Sequence, residues 1–263
     1  MRARDLPTRA TAVAILMVLL AFGGRPAVAG DDQILRACTR PGAGFFTRDS
    51  NGTPVGLEYD VLQSFATSLK RKLVIEDAPS FEELLARAES GRCDVAAAEI
   101  TVTEDRKRRF AFSAPYFPDR MLVVQKAPTA FSRVEDLTGK RLAVVGGTLQ
   151  AALVSALKEV TPVLVDDDDA LFAAVTNGRA EALVCDSAVV LHHLTQHPDF
   201  SPALPLGERS FFAFALPKGS SLLALLNGHL RTLQENGQFQ KLLGRHFGEA
   251  NAEFLAAEVR GKE

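Results

Sequence analysis

Residues 34–247 alternate short apolar runs with stretches whose apolar residues recur every third or fourth position, and the alternation happens twice. No other feature constrains the fold as tightly, because strand–helix–strand repeats close into a mostly parallel sheet with helices on its faces. In the first round ILRACT is a strand, VLQSFATSLKRK has helical spacing, and LVIED, FEELLARAES and DVAAAEI follow as strand, helix and buried strand. Ser80 is placed to cap the second of these helices, with Glu83 completing a capping box and Gly91 closing the end. RMLVVQK leaves this unit as an uninterrupted strand. The second round opens at KRLAVVG, turns through Gly146, Gly147 and Thr148 into LQAALVSALKE, and continues as PVLVD, DALFAAVTNG, ALVCD and SAVVLHHL. SFFAFALPKG reads as one returning strand, followed by the helices SLLALLNGHLRTLQENG and QFQKLLGRHF.

The chain has 263 residues, and the part after residue 29 is large for a single core and suits two lobes of about 100 residues each. The expected architecture is α/β, with two similar lobes, each a mostly parallel sheet flanked by helices. Residues 30–122 and 214–263 form the first lobe and 123–213 the second. The exits near 121–126 and 209–217 read as paired hinge strands.

Residues 1–29 carry Arg2, Arg4 and Arg9, then the apolar TAVAILMVLLAF, and end in Ala27-Val28-Ala29, a small-x-small pattern. This is the signature of a cleaved export signal, so the periplasm is the expected compartment. The apolar run falls short of the roughly 20 residues that span a bilayer, and no later segment is long enough either. Leu35-Arg36-Ala37-Cys38 loosely resembles a lipidation site, but Cys38 lies well past the apolar run and inside a strand. The four arginines and one aspartate of the signal carry +3, so the net charge of −2 becomes −5 after cleavage. An acidic chain lacks the basic face that nucleic acid or an anionic membrane requires, so no nucleic-acid partner is expected.

The cysteines Cys38, Cys93 and Cys185 match no zinc spacing and read as small buried residues, with at least one thiol left free by the odd count. His192, His193 and His197 read as a solvated helix end rather than a metal site, because adjacent helical positions face different ways. The run Asp166, Asp167, Asp168 and Asp169 stands where a helix begins and is read as capping and macrodipole chemistry. No metal or cofactor is called for.

Four segments, LRACTRPGAGFFTRDSNGTPVGLEYDVLQSFA, SGRCDVAAAEITVTEDRKRRFAFSAPYF, LAVVGGTLQ and ALVCDSAVV, carry a resemblance that spans nearly the whole chain after the signal. In order and spacing they resemble the solute-binding proteins of polar amino-acid ABC importers. The most specific element is Thr-x-Thr-Glu-x-Arg followed by Phe-Ser-x-Pro-Tyr. The resemblance implies a two-lobed, hinged periplasmic-binding-protein fold of type II, with ligand in the interlobe cleft and closure read by a membrane ABC permease.

It also implies a set of ligand contacts. Arg106 offers a planar fork of donors to an α-carboxylate, and Asp186, at the end of an apolar strand, accepts an α-ammonium. Thr101 is the small hydroxyl residue that helps hold the carboxylate, and Thr148 and Leu149 open a helix whose free N–H groups favour an anion. Phe81 is one wall against the ligand side chain, and Phe45 or Phe46 the opposite one. Lys107, Arg108 and Arg109 belong to a solvated face.

Three positions depart from the family pattern. Arg40 stands where several relatives have an acidic residue, which disfavours a basic ligand and points to an acidic side chain. Ala43 replaces an aromatic residue. Glu99 replaces Gly or Ser, and the expectation is an ion pair between Glu99 and Arg40 across the cleft floor, or else a protonated Glu99 or one touching a ligand amine. The expected function is a monomeric, non-catalytic receptor for an amino acid or related small zwitterion, with no cofactor. The alternatives are a dehydratase on the same scaffold with Glu99 as general acid, or an accessory sensor with an altered cleft.

Overall fold

The computed structural model describes residues 33–42, 44–194 and 196–260. Residues 1–29, read above as an export signal, and the departure at Ala43 lie outside the described residues. The first pass of the chain holds β1 (Ile34–Thr39), β2 (Thr47–Arg48), β3 (Pro54–Val55), α1 (Leu57–Ser68), β4 (Lys72–Asp77), α2 (Phe81–Glu89), β5 (Val95–Ala97), α3 (Glu104–Arg109) and β6 (Phe110–Phe112). The second begins with β7 (Phe117–Lys126) and holds β8 (Arg141–Val145), α4 (Leu149–Ala156), β9 (Thr161–Val165), α5 (Asp168–Thr176), β10 (Ala182–Asp186), α6 (Ser187–His193) and β11 (Phe200–Phe212). The chain returns through β12 (Ala215–Pro217) and ends in α7 (Leu222–Glu235), α8 (Gln238–Phe247) and α9 (Glu249–Arg260).

Two five-stranded sheets result, ordered β4-β1-β5-β12-β6 and β11-β7-β10-β8-β9. β1 runs parallel to β4 and β5, and β8 parallel to β9 and β10. The antiparallel partners are the strands next to the crossings: β12 in the first sheet, β7 and β11 in the second. The two crossings run side by side, since Ser113 N–H donates to Phe214 O at 3.0 Å and Tyr116 N–H to Phe212 O at 3.0 Å. Among the described residues no helix is long and apolar enough to cross a membrane.

Local chemistry explains where the elements depart from the sequence reading. α1 starts at Leu57, four residues earlier than its apolar period implied, because the preceding loop supplies acceptors for its first turn: Leu57 N–H reaches Gly44 O at 2.9 Å and Glu58 N–H reaches Phe45 O at 3.0 Å. Ser80 caps α2 by accepting from Glu83 N–H at 3.1 Å, but the box is half-made, since the Glu83 carboxylate turns to Arg87 at 2.9 Å and Arg92 at 3.3 Å. The single strand expected over SFFAFALPKG is two strands in different sheets, β11 ending at Phe212 and β12 starting at Ala215. One apolar run feeds both, and periodicity is blind to which sheet a strand joins.

Each sheet is buried on both faces. In the first lobe, α1, α7, α8 and α9 cover one face around Leu35, Phe65, Phe214 and Phe239, and α2 covers the other around Leu84, Ile100 and Phe110. In the second, Phe172, Leu183 and Val189 centre one face and Leu142, Val154 and Val184 the other. Phe45 belongs to this packing and not to a cleft wall: it is fully buried, with the rings of Phe117 and Phe247 each 4.9 Å from its own. Phe46 is buried as well. A buried aromatic side chain gains more from apolar area than a wall position offers, and the loop before α1 folds both rings inward.

Cys38 and Cys93 are joined in a disulfide, and Cys185 is the free, buried thiol that the odd count requires. Spacing along the chain hid the pairing, because β1 and the loop before β5 meet only once the sheet forms. His193 is also buried, not solvated. Its ring and that of His197 stack on Phe172 at 5.0 and 4.4 Å.

Candidate functional site

Parallel strands of an open α/β sheet present their carboxyl ends to a common crevice. Here the segments following β1 and β5 of the first lobe and β8, β9 and β10 of the second line one cavity of about 740 Å³, its open mouth included. Arg40, Phe81, Glu99, Thr101 and Arg106 face it from one side, and Thr148, Leu149, Gln150, Asp168 and Asp186 from the other.

Arg106 is aimed by its own short helix. Thr103 caps α3 by accepting the Arg106 N–H at 3.2 Å, which starts the side chain toward the cleft. Its Nη1 then donates to the Thr101 carbonyl at 2.9 Å, and its guanidinium lies 5.1 Å over the Phe81 ring. The remaining donors of the fork have no partner among the described residues. Burial lowers the Arg106 pKa to about 10, still fully cationic at neutral pH. The other cations of the block are engaged on the surface, Lys107 with Glu104 at 2.8 Å and Arg109 with Glu89 at 2.6 Å.

Asp186 ends β10 and is buried. Gln150 on α4 donates to it, and its carboxyl hydrogen-bonds that of Asp119 on β7. Burial and the Asp119 charge together push the Asp186 pKa well above the usual carboxylate range. Asp119 in turn accepts from the Ser187 N–H at 3.1 Å, the Ser187 hydroxyl at 3.0 Å and the Ser210 hydroxyl at 3.2 Å. Asp186 is thereby wired to both strands of the crossing. Arg106 and Asp186 attract each other across the cleft without forming an ion pair.

Glu99 does not pair with Arg40. The Arg40 Nη2 donates across the cleft to the Asp166 carbonyl at 3.0 Å, because the turn into α5 brings that oxygen within reach of the long side chain. Glu99 has φ +53, and its N–H is held by the Glu58 carboxylate at 2.9 Å. Glu58 is fully buried, takes a second hydrogen bond from the Tyr116 hydroxyl, and is raised by burial to about 7. The Glu99 carboxylate lies against Gly42, where a Cβ would push the end of that side chain aside. No hydrogen bond reaches that carboxylate from the described residues. Burial, then the charges of Asp168, Glu58, Asp186 and Asp119, raise its pKa well above the usual value.

The acidic run divides its work. Asp167 caps α5, accepting from Ala170 N–H at 2.9 Å, whereas Asp168 faces the cleft, with its pKa raised to about 6 by burial and by its acidic neighbours. Thr148 spends its hydroxyl locally, donating to Val145 O at the end of β8 at 2.6 Å and accepting from Ala151 N–H in the first turn of α4 at 3.3 Å. The lobes also touch at Gly147, whose φ of +73 and close approach to Glu82 exclude a side chain.

Residues 35–249 match the model of the bacterial extracellular solute-binding proteins, family 3. The chain belongs to this family. Among curated proteins, membrane-bound lytic murein transglycosylase F of Ectopseudomonas mendocina (strain ymp) is 30% identical over 254 residues, covering 90% of this chain and 51% of the relative. The chain thus spans about half the length of the curated relatives it matches. Among solved structures, a mutant of ArgBP from T. maritima superposes with a TM-score of 0.78 at 29% identity, covering 82% of this chain and 96% of that one. An ancestral arginine-binding protein bound to arginine superposes with a TM-score of 0.75 at 29% identity, covering 82% and 99%. These neighbours share the type II periplasmic-binding-protein architecture.

As a family 3 domain, this chain brings Arg106, Thr101, Asp186, Thr148, Leu149, Phe81, Arg40 and Glu99 to one cleft and leaves Phe45 in the core. Reading the sequence missed Gln150, Asp119 and Asp168 as members or supports of the cleft. Gln150 sits on the turn after Thr148, a position that helical spacing from the N-cap would have flagged. Asp119 carried no signal, because its partners come from three separate elements.

Proposed function

We propose that this chain is a receptor that closes its cleft on an amino acid or a related small zwitterion and performs no chemistry on it. The observation that carries this reading is the opposition of Arg106, with unused guanidinium donors, to Asp186 across one cavity. The ligand α-carboxylate docks on the fork of Arg106 and the Thr101 hydroxyl, and the α-ammonium on Asp186. The structural likeness to an ancestral arginine-binding protein bound to arginine supports the same class of ligand. The closed form is presented to a membrane ABC permease, the receptor acting as a monomer outside the cytoplasm. The pattern of residues 1–29 supports export, and the Cys38–Cys93 disulfide fits an oxidising compartment.

A second reading follows from the transglycosylase relatives: the cleft binds a murein fragment and its closure is read by a cell-wall enzyme rather than a permease. Thermal-shift screening of amino acids, opines, polyamines, dicarboxylates and murein peptides separates the two. At 100 times Kd a ligand adds about 2.7 kcal/mol of stability. The receptor reading predicts a free amino acid that does this and loses the effect in Arg106→Ala. Stabilisation by murein peptides alone favours the second reading, and silence from every zwitterion contradicts the first.

A further inference from the structure

We infer that the cavity bounded by β7, β11, α6 and α9 is a second binding site, separate from the cleft, for a small apolar molecule with a carboxylate head. It measures about 1070 Å³, its open mouth included, and shares no lining residue with the cleft. Its apolar wall is Phe117, Pro118 and Leu122 of β7, Val190 and Leu191 of α6, and Leu255 of α9. Phe117 and Leu255 are buried, whereas Leu191 stays 43% exposed, so part of this wall faces water. A concave, mostly apolar wall with a few polar groups is the usual make-up of a small-molecule site.

The polar groups on the wall decide which head group it takes. Asp119 has its acceptor capacity filled: Ser187 donates to it through its N–H at 3.1 Å and its hydroxyl at 3.0 Å, Ser210 donates at 3.2 Å, and the Asp186 carboxyl adds a further hydrogen bond. The Ser187 hydroxyl is used twice, since it also accepts the Arg120 N–H at 3.2 Å, and the Asn251 amide donates to Phe247 O at 2.8 Å. The other charges on the wall are two guanidiniums, of Arg120 on β7 and Arg209 on β11, and both are exposed. A cationic ligand is repelled by them, and an uncharged apolar one gains burial alone. An apolar carboxylate gains burial together with charge-assisted hydrogen bonds to a guanidinium fork.

Isothermal titration with octanoate, octanol and octylamine tests the site, because the three share one chain length and differ in head group. Octanoate is expected to bind with a Kd below about 1 mM, and at least about tenfold more tightly than either of the others. Arg120→Glu and Leu191→Asp each bring an anion to the mouth and should weaken octanoate by at least about threefold. Both positions are exposed, so the fold should hold, and the comparison of head groups needs no variant. Arg106→Ala should leave octanoate binding unchanged, which separates this site from the cleft and from whatever the cleft binds. Absence of octanoate binding, equal binding of the three head groups, indifference to both surface variants, or loss of binding in Arg106→Ala would each overturn the site.

Discussion

At Glu99 the backbone and the side chain are both under load. A φ of +53 in a residue with a Cβ costs about 1–2 kcal/mol, while glycine at the same place costs about 0.5–1 kcal/mol of extra chain entropy. The first cost is the larger, and the substitution also removes a carboxylate crowded by Glu58, Asp168 and Asp186. Glu99→Gly is therefore expected to raise the stability of the ligand-free protein by about 1 kcal/mol, a gain of a few degrees in a thermal scan. A loss of stability would show that the carboxylate is supported by its surroundings. Residue identity was legible in the sequence only where a role is encoded locally. Arg106 and Thr101 stand in one short block, whereas Arg40 meets Asp166, a partner 126 positions away, and Phe45 packs on rings that come from β7, β11 and α8.

The paired strands β7 and β11 join the cleft to the crossing between lobes, and Asp119 is the residue that makes the join. It binds Ser210 on β11, Ser187 at the start of α6, and the carboxyl of Asp186. Two carboxyls hydrogen-bonded to each other hold a proton between them. If the ligand ammonium docks on Asp186 as proposed, it expels that proton, so ligand binding near neutral pH should release up to about one proton. Binding enthalpies measured in two buffers of different ionisation heat should differ accordingly, and the difference should vanish in Asp119→Asn. Identical enthalpies in the wild type would contradict the arrangement. Elements were legible wherever a single period ran uninterrupted, as in β1, β8 and α5. The division between β11 and β12 was not, because the choice of sheet is made by contacts such as Ala213 N–H on Ile100 O at 3.1 Å.

For the whole molecule, the buried carboxyls set the dependence of stability on pH. Glu58 has a folded-state pKa of about 7 against an ordinary 4.5, so the folded protein holds its proton over a range in which the unfolded chain has lost it. The contribution is fully present below pH 4.5 and fades as pH rises through 7, a loss of about 3 kcal/mol. Asp168, raised from 3.8 to about 6, acts in the same direction. The groups whose pKa values are lowered, such as Asp60 beside His246 and Arg245, lose their contribution only at more acid pH. The ligand-free protein should thus melt at progressively lower temperature from pH 5 to pH 8, and Glu58→Gln, which keeps the shape of the side chain, should flatten the slope. A melting temperature that climbs over this range would contradict the assignment. The two-lobed architecture was legible in the sequence because the alternation of strands and helices repeats, and the cleft because its most telling block sits at the end of one strand. The disulfide and the crowd of acids beneath the cleft were hidden, since both depend on which strand ends meet.

The central claim is that the cleft holds a zwitterion by its two α-groups, with Arg106 on the carboxylate and Asp186 on the ammonium. The most direct measurement is a titration of the tightest-binding amino acid beside the amine left when its α-carboxyl is removed. If Arg106 holds the carboxylate, the amine should bind at least thirtyfold more weakly, about 2 kcal/mol, and Arg106→Ala should bring the two affinities together. Equal binding of acid and amine by the wild type would contradict the claim.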